Sequence, residues 1–486
     1  MSLPNFVDDF SVHLSRNARE YEVNLGSAVN PSLPDVADKF PSYWIADLPP
    51  VAGEVAQVLA VDGSYATMIL RNGGILYLVR GACISCDGLV SRKMLGGIVA
   101  GRHLHIRRFV GLLSELLEIE CALEGLEKTR EAPPRYLLID GSLLSRALHI
   151  PIEYNLYVPG STTVNPMTFD LPRVPGTDYP LPPGAISLRF LEAFLDLISV
   201  AKSQGTVLVG VSKDSSTSIF HVGILDDLVE EQLQALKDPV LAKELRDVIF
   251  SGEPWKRLEK VKKICARRGV DPVNVSSLEV LLKEYKYVIP DCSIVQAFAK
   301  DVGFTKPLVA GAASARHLRR CKQIMKDASR YVKKEFTASL QETDSAGCRK
   351  DFEKYAISMV ERFPRLPAVA VSHTKLEKND APIRVDVFAH DFVSSGSNSS
   401  LHQKILADLP TTEWSDPTAE FLELLSFLRF GHCGTVNHNI WLTAVDGEVR
   451  LTSKSVENCY LPYIAQIIGK HLSEFLGRRE RRARQI

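Results

Sequence analysis

The sequence predicts an α/β protein whose mixed sheet has a β-β-β-α-β-α-β core, expanded by large helical insertions. Three observations lead there: two apolar runs end at Asp62-Gly63-Ser64 and Asp140-Gly141-Ser142, an amphipathic helix lies between them, and long helical stretches follow residue 225. At 486 residues the chain exceeds one typical core, so one elaborated domain or two are expected.

Ala56 to Val61 reads as a buried strand closed by turn chemistry at Asp62-Gly63-Ser64. Tyr65 to Leu70 and Ile75 to Val79 read as two more strands, separated by Arg71-Asn72-Gly73-Gly74, in which Asn-Gly is a hairpin signal. From Phe109 to Lys128 the pattern turns helical, with Leu112, Leu116, Ile119, Leu123 and Leu126 on one stripe. Tyr136 to Ile139 forms a fourth strand delivering Asp140, Ile186 to Lys202 a helix, and Thr206 to Val211 a strand ending at Ser212-Lys213-Asp214-Ser215. This is the element order of the RNase H-like fold, a mixed sheet in which ligands gather where connections diverge at strand ends.

Farther on, Leu228 to Val248, Trp255 to Arg268 and Leu278 to Lys286 predict an inserted helical region, and Ala315 to Phe363 another. Pro382 to Phe388 reads as a returning strand, Ser394 to Ser400 as a flexible loop, and Tyr460 to Gly477 as a final helix. The expected division is an N-terminal helical arm (1–50), the RNase H-like core (51–225), a mainly helical insertion (226–375) and a return of strands and helix (376–486).

Composition is that of an ordinary soluble protein, with 45% hydrophobic and 24% charged residues and no net charge, so global charge names no partner. A nucleic-acid binder need not be basic overall if its basic residues share a face. Acidic residues stand at the start where a signal peptide would be basic, and no run approaches the roughly 18 apolar residues of a membrane span. Secretion is not expected. The nine scattered cysteines read as reduced thiols in a cytoplasm, and Cys83-Ile-Ser-Cys86, with no second such pair, reads as structural or incidental.

Phosphodiester hydrolysis needs an activated water and a stabilised leaving oxygen, and divalent metals held by carboxylates provide both. Asp62 and Asp140 supply two hard oxygen donors, each followed by a glycine that permits a sharp turn. A third carboxylate is expected on the helix between them, from Glu115, Glu118, Glu120, Glu124 or Glu127. At about 100° per residue Glu120 flanks the leucine stripe while Glu118 points nearly opposite, which makes Glu120 the geometric choice. Lys213, after a strand, suits contact with a scissile phosphate. Lys256, Arg257, Lys260, Lys262, Lys263, Arg267 and Arg268 crowd one predicted helix, and arginines 478, 479, 481, 482 and 484 close the chain; both are phosphate contacts or solvated faces.

Taken together, Ala-Val-Asp62-Gly-Ser, the Glu-rich helix, Leu-Leu-Ile-Asp140-Gly-Ser-Leu and Gly-Val-Ser-Lys213-Asp-Ser resemble the NurA nucleases, as do Pro290-Asp291 and Gly303 to Pro307. The resemblance covers residues 56–308 well and the remainder poorly. It implies an RNase H-like, manganese-dependent deoxyribonuclease, with magnesium as the other candidate ion, that degrades DNA from 5′ ends, with single-strand endonuclease activity alongside. It also implies a homodimer working with a hexameric HerA-like translocase in DNA end processing. Asp62, one helix glutamate and Asp140 would bind metal, with Lys213 assisting; Glu118 stays beside Glu120 as the helix ligand. The family's C-terminal tyrosine and helical histidine correspond to Tyr460 with His471, or with Gln466 in the histidine's place. Two other readings compete: a catalytically lapsed DNA-binding subunit, and an actin-like ATPase, which also places an Asp-Gly-Ser turn after its first strand.

Overall fold

The computed structural model describes Ser15 and residues 34–467, apart from 54–56, 71–73, 158–172, 175–176, 178–180, 214–216, 252–253, 271–274, 286–288, 312–314, 343–345, 393–400, 409–412 and 435. The loop 394–400, the arginine-rich tail and most of the final helix expected from Tyr460 lie outside these residues.

The strands are β1 (Trp44–Ile45), β2 (Val58–Ile69), β3 (Ile75–Ser85), β4 (Gly88–Gly101), β5 (Tyr136–Asp140), β6 (Leu156–Tyr157), β7 (Val207–Ser212), β8 (Gly303–Thr305), β9 (Leu308–Ala310), β10 (Val369–Lys375), β11 (Ile383–Phe388) and β12 (Glu413–Trp414). They form one sheet in the order β1-β8-β10-β11-β7-β5-β2-β3-β4-β6, with β9 on β10 and β12 on β9. Its middle, β4-β3-β2-β5-β7, is an antiparallel trio continued by two parallel strands. That is the RNase H-like arrangement.

The trio is not made as expected. Val58–Ile69 is a single strand of 12 residues, paired with β3 from Leu59↔Ser85 to Ile69↔Ile75, so Asp62-Gly63-Ser64 runs straight through. The third antiparallel strand is β4, hidden in the sequence because Arg92-Lys93 and Gly96-Gly97 interrupt any apolar alternation. The hairpin between β2 and β3 does close where Asn72-Gly73 predicted, with the Leu70 amide donating to the Gly74 carbonyl at 2.8 Å.

Alternation along the strands gives the sheet two apolar faces. Leu59, Val61, Leu137 and Ile139 face a core completed by α1 (His103–Lys128), α2 (Leu143–Ala147) and α3 (Ile186–Gln204). Next, α4 (Ile219–Gln234), α5 (Pro239–Ser251), α6 (Pro254–Arg268), α7 (Ser276–Glu284) and α8 (Asp291–Phe298) build a separate core with Val36 and Phe40. The helix expected over Leu228 to Val248 is thus two, broken before Pro239, a residue suited to a first helical turn. Helices α9 (Ala315–Lys326), α10 (Ala328–Glu335) and α11 (Ala346–Arg362), expected within the insertion, join the first core instead.

On the second face, Val58, Ala60, Tyr136 and Leu138 meet α12 (Ala419–Phe430) and α13 (Ile440–Val449), where Phe427 stacks on Tyr136 at 4.6 Å and on Trp441 at 4.8 Å. Among the described residues no helix is long and apolar enough to cross a membrane.

Candidate active site

Parallel pairing brings the two aspartates together. The β2–β5 register runs from Val58↔Tyr136 to Val61↔Ile139, so Asp62 and Asp140 occupy the next rung side by side, and Asp140 is opposite Val211 on β7. Both have the parity of Val58, Ala60, Tyr136 and Leu138, so both point toward the side of the sheet covered by α13. Beyond Asp140 the chain does turn: Gly141 has φ +114°, and Ser142 caps α2 by accepting from the Ser145 amide at 3.0 Å. Gly63 serves another purpose. A Cβ there would come within 2.8 Å of Ser114 Oγ and 2.9 Å of the Ser114 carbonyl, so glycine admits α1 against the strand.

That close approach identifies the sheet-facing side of α1. Ser114, Leu117, Glu118 and Gly125 lie over β2 and β3, opposite the leucine stripe. Glu118 is 3% exposed and its Oε2 lies 3.4 Å from the position a Gly63 Cβ would take. Glu120, the choice from helical geometry, faces elsewhere and pairs with Arg189 at 3.1 Å and Lys93 at 3.4 Å. The stripe that suggested it lies on the side of α1 away from the sheet, and the small residues Ser114 and Gly125 mark the side that touches it. Of the other candidates, Glu124 pairs with Lys128, Glu127 with Arg130, and Glu115 hydrogen-bonds His149 at 2.9 Å.

Arg146 joins these parts. It is 5% exposed, and its Nη2 donates to both Glu118 oxygens at 2.9 and 3.0 Å and to the Asp140 carbonyl at 3.1 Å. Its Nη1 is buried without a hydrogen-bond partner. Lys213 Nζ lies 3.8 Å from Asp140 Oδ2. A third device holds the turn after Asp140: Asp386 on β11 accepts from Ser142 Oγ at 2.6 Å and from the Leu144 amide at 3.1 Å, while the Arg384 fork grips it at 2.6 and 2.9 Å.

Burial dominates the electrostatics. The Asp62 carboxyl is pushed up to about 7, first by burial and then by the charge of Asp140, with Asp446 of α13 adding to it. Asp140 is raised by burial and by Asp446, against the pull of Lys213 and Arg146. Glu118 is also raised by burial, opposed chiefly by Arg146. Asp446 had no local signal in the sequence, because only packing of α13 on β2 brings it to this cluster.

Among the described residues no three His, Cys, Asp or Glu side chains yet converge closely enough to grip an ion together. The donor chemistry nevertheless fits a hard divalent cation. Buried carboxyls set side by side, raised by burial and by neighbouring carboxylates, are relieved by a cation, and oxygen donors suit magnesium or manganese.

The remaining sequence candidates are placed as follows. Tyr460 packs under the Arg80 guanidinium at 5.2 Å, and Arg80 is paired across the strands with Ser64, two residues from Asp62. Gln466 is exposed in a helix from Leu461 to Ile467, and His471 lies outside the described residues. Asp291 is fully buried and caps α4, accepting from the Ile219 and His221 amides at 2.8 and 2.9 Å. In the basic helix α6, Arg267 and Arg268 pair with Glu244 and Lys262 with Glu279, which spends part of its charge internally. Cys83 is buried and Cys86 exposed; all nine thiols are free.

The family model described as the NurA domain matches residues 56–410. Among solved structures, the NurA nuclease from Sulfolobus solfataricus aligns over 96% of this chain and 97% of its own, with 13% identity and a TM-score of 0.47. Another NurA crystal structure aligns over 93% and 97% with 10% identity and a TM-score of 0.42, and a NurA bound to dAMP and manganese over 95% and 96% with 12% identity and a TM-score of 0.30. No curated protein matches the chain.

Proposed function

The chain belongs to the NurA family of nucleases, and from that premise we propose that Asp62, Glu118 and Asp140 form the metal-binding centre of a manganese-dependent deoxyribonuclease. The observation that carries this reading is the adjacent placement of Asp62 and Asp140 on parallel strands, each carboxyl raised chiefly by burial. Glu118 replaces Glu120 as the third donor because it is the helix glutamate packed on β2 at Gly63, where it feels the charge of Asp62.

A bound divalent ion would supply an activated water and charge stabilisation at the phosphate. The chain's own residues do the rest. Arg146 ties Glu118 to the end of β5 by bridging its carboxylate and the Asp140 carbonyl. Lys213 holds a positive charge beside Asp140, where a phosphate oxygen gains charge in the transition state. Asp386 fixes the turn that follows Asp140 and so the direction of its carboxylate. The actin-like alternative loses its ground, since Asp62-Gly63-Ser64 lies within a strand and forms no phosphate-cradling turn.

The resemblance extends the proposal to digestion from 5′ ends, to work beside a HerA-like hexameric translocase, and to a homodimer. The test is cleavage of single- and double-stranded DNA, labelled at either end, by the parent and by Asp62→Ala in manganese. The parent is expected to release label first from 5′ ends and the variant to be inert. Equal activity in the two would sink the catalytic assignment.

A further inference from the structure

The loop that leads from α12 into α13 holds His438, the one non-glycine residue with a positive φ among the described residues, at +20°. Such backbone is unfavourable for a side chain with a Cβ and persists only where surrounding contacts impose it. Here they do. The Asn437 carbonyl accepts from Thr443 Oγ1 at 2.7 Å, the His438 carbonyl from His432 Nδ1 at 3.0 Å, and Asn439 caps α13 by accepting from the Trp441 and Leu442 amides at 3.1 and 3.2 Å. The His438 imidazole is 2% exposed, and neither ring nitrogen has a hydrogen-bond partner among the described residues. Backbone strain and a desolvated, unanswered side chain thus coincide at one residue, a combination that marks a functional group.

His438 stands on the aspartates' side of the sheet. Val207, Val209 and Val211 face α13, and Lys213, two residues on, keeps their parity, as Asp62 and Asp140 keep that of Ala60 and Leu138. The antiparallel register Ser212↔Arg384 sets Lys213 against the start of β11. In the turn that enters β11, Asp380 Oδ2 lies 3.2 Å from His432 Nε2, so the histidine that holds the His438 carbonyl is itself anchored where Lys213 emerges. Burial, then the charges of Lys213 and His432, push the His438 ring down to about 3, which leaves it neutral. Two other histidines, His221 on α4 and His373 on β10, are buried with orphaned nitrogens, but each lies in a regular element without positive φ and neither feels Lys213.

A neutral imidazole always has one bare nitrogen, which accepts a hydrogen bond from an ammonium group. Lys213 faces Asp140 at 3.8 Å, beyond hydrogen-bond reach, and its flexible four-carbon stem leaves the amine free to choose another acceptor. We propose that His438 is a positioning residue for Lys213, whose ammonium it accepts when a ligand engages Asp140, so that the charge is fixed at the reaction site. The inference rests on the nuclease reading above and deepens it. Because the ring carries no charge, it orients Lys213 without neutralising it, and the full positive charge stays available to the phosphate.

His438→Phe keeps a ring of similar size and removes two nitrogens that have no partner to lose, so thermal unfolding in EDTA is expected to match the parent's or lie above it. In the manganese cleavage assay its kcat should fall about 10-fold or more with KM within about 2-fold, as misplacement of a group acting on the transition state does. Lys213→Met should lose at least as much, and the double variant no more than Lys213→Met alone, since a residue acting through Lys213 then has nothing to act on. Parent-like kcat in His438→Phe, losses that multiply in the double variant, or a clear drop in its unfolding temperature overturns the proposal. A second readout needs neither metal nor turnover. In ring-nitrogen NMR of the full chain in EDTA, Asp140→Ala, which releases Lys213, should shift the signal of the bare His438 nitrogen upfield, and adding Lys213→Met should return it. A signal unmoved by both changes overturns the contact. Failure of the nuclease reading is distinguishable, because it appears as cleavage by Asp62→Ala with these NMR shifts intact.

Discussion

The Arg146–Glu118 pair is the most exposed point of the reasoning, because the site's architecture depends on a buried ion pair. The two side chains are 5% and 4% exposed, and a single nitrogen of the guanidinium serves three acceptors. Arg146→Met keeps the length of the stem and removes the charge, leaving Glu118 buried and unpaired. Removing one member of a buried pair costs about 3–5 kcal/mol, whereas replacing both by apolar groups of similar volume is often near neutral. Glu118→Leu alone should therefore destabilise by a similar amount, since it strands Arg146, whose Nη1 already lacks a partner. The double variant should be more stable than the sum of the two losses by at least about 2 kcal/mol. Urea unfolding of the four proteins in EDTA measures this cycle. Additive losses, or single losses below about 1 kcal/mol, would refute the clamp, because only a screened surface pair is that weak.

Three further outcomes follow from the same geometry. Glu118→Gln should lose cleavage by about 100-fold or more, as removal of a group acting on the transition state does, while Glu120→Gln, which disturbs a half-exposed contact with Arg189 and Lys93, stays within about 3-fold in the manganese assay. Asp140→Ala should abolish cleavage while shifting stability by about 1 kcal/mol or less, since its ion pair with Lys213 is long and solvated; pronounced unfolding on a thermal scan would make it a structural aspartate. The third concerns pH without metal. The Asp62 carboxyl sits at about 7 in the folded chain and near 4 when unfolded, so the folded state binds the extra proton between those values and stability declines as pH rises through the window. The decline amounts to at most about 1.4 kcal/mol per unit; Asp62→Asn should flatten it, and an unchanged slope in that variant would show that another group is responsible.

Much of the core was legible in the sequence because its signals are local. Asp140 follows a short apolar run and precedes a glycine and a serine, and the structure uses each: the strand ends, Gly141 takes a positive φ, and Ser142 caps the helix. The same triplet at Asp62 is not a turn, since continuous pairing with β3 and the pressure of α1 on Gly63 decide its conformation. Identical tripeptides thus adopt different backbones, with tertiary contacts overriding local preference. The helix glutamate misled for a related reason. A leucine stripe marks where the largest apolar side chains go, but α1 rests on the sheet through small residues that leave room for Glu118. Arg146 and Asp446 gave no signal, for each acquires its place through folding of distant segments.

The C-terminal half is part of the site rather than an appendage to it. Chain between β7 and β11 forms a separate helical core and more, yet β7 and β11 pair directly, Val385 opposite Val211, so the insertions leave and re-enter without disturbing the strands that carry Asp140 and Lys213. Asp386 then reaches from β11 to hold the Ser142 turn, and α13 returns over β2 to bring Asp446 toward Asp62. With all groups ionised, four carboxylates (Asp62, Glu118, Asp140 and Asp446) stand against two cations, Arg146 and Lys213. Glu115, whose charge acts on Arg146 and Glu118 as well, adds to this acidic cluster.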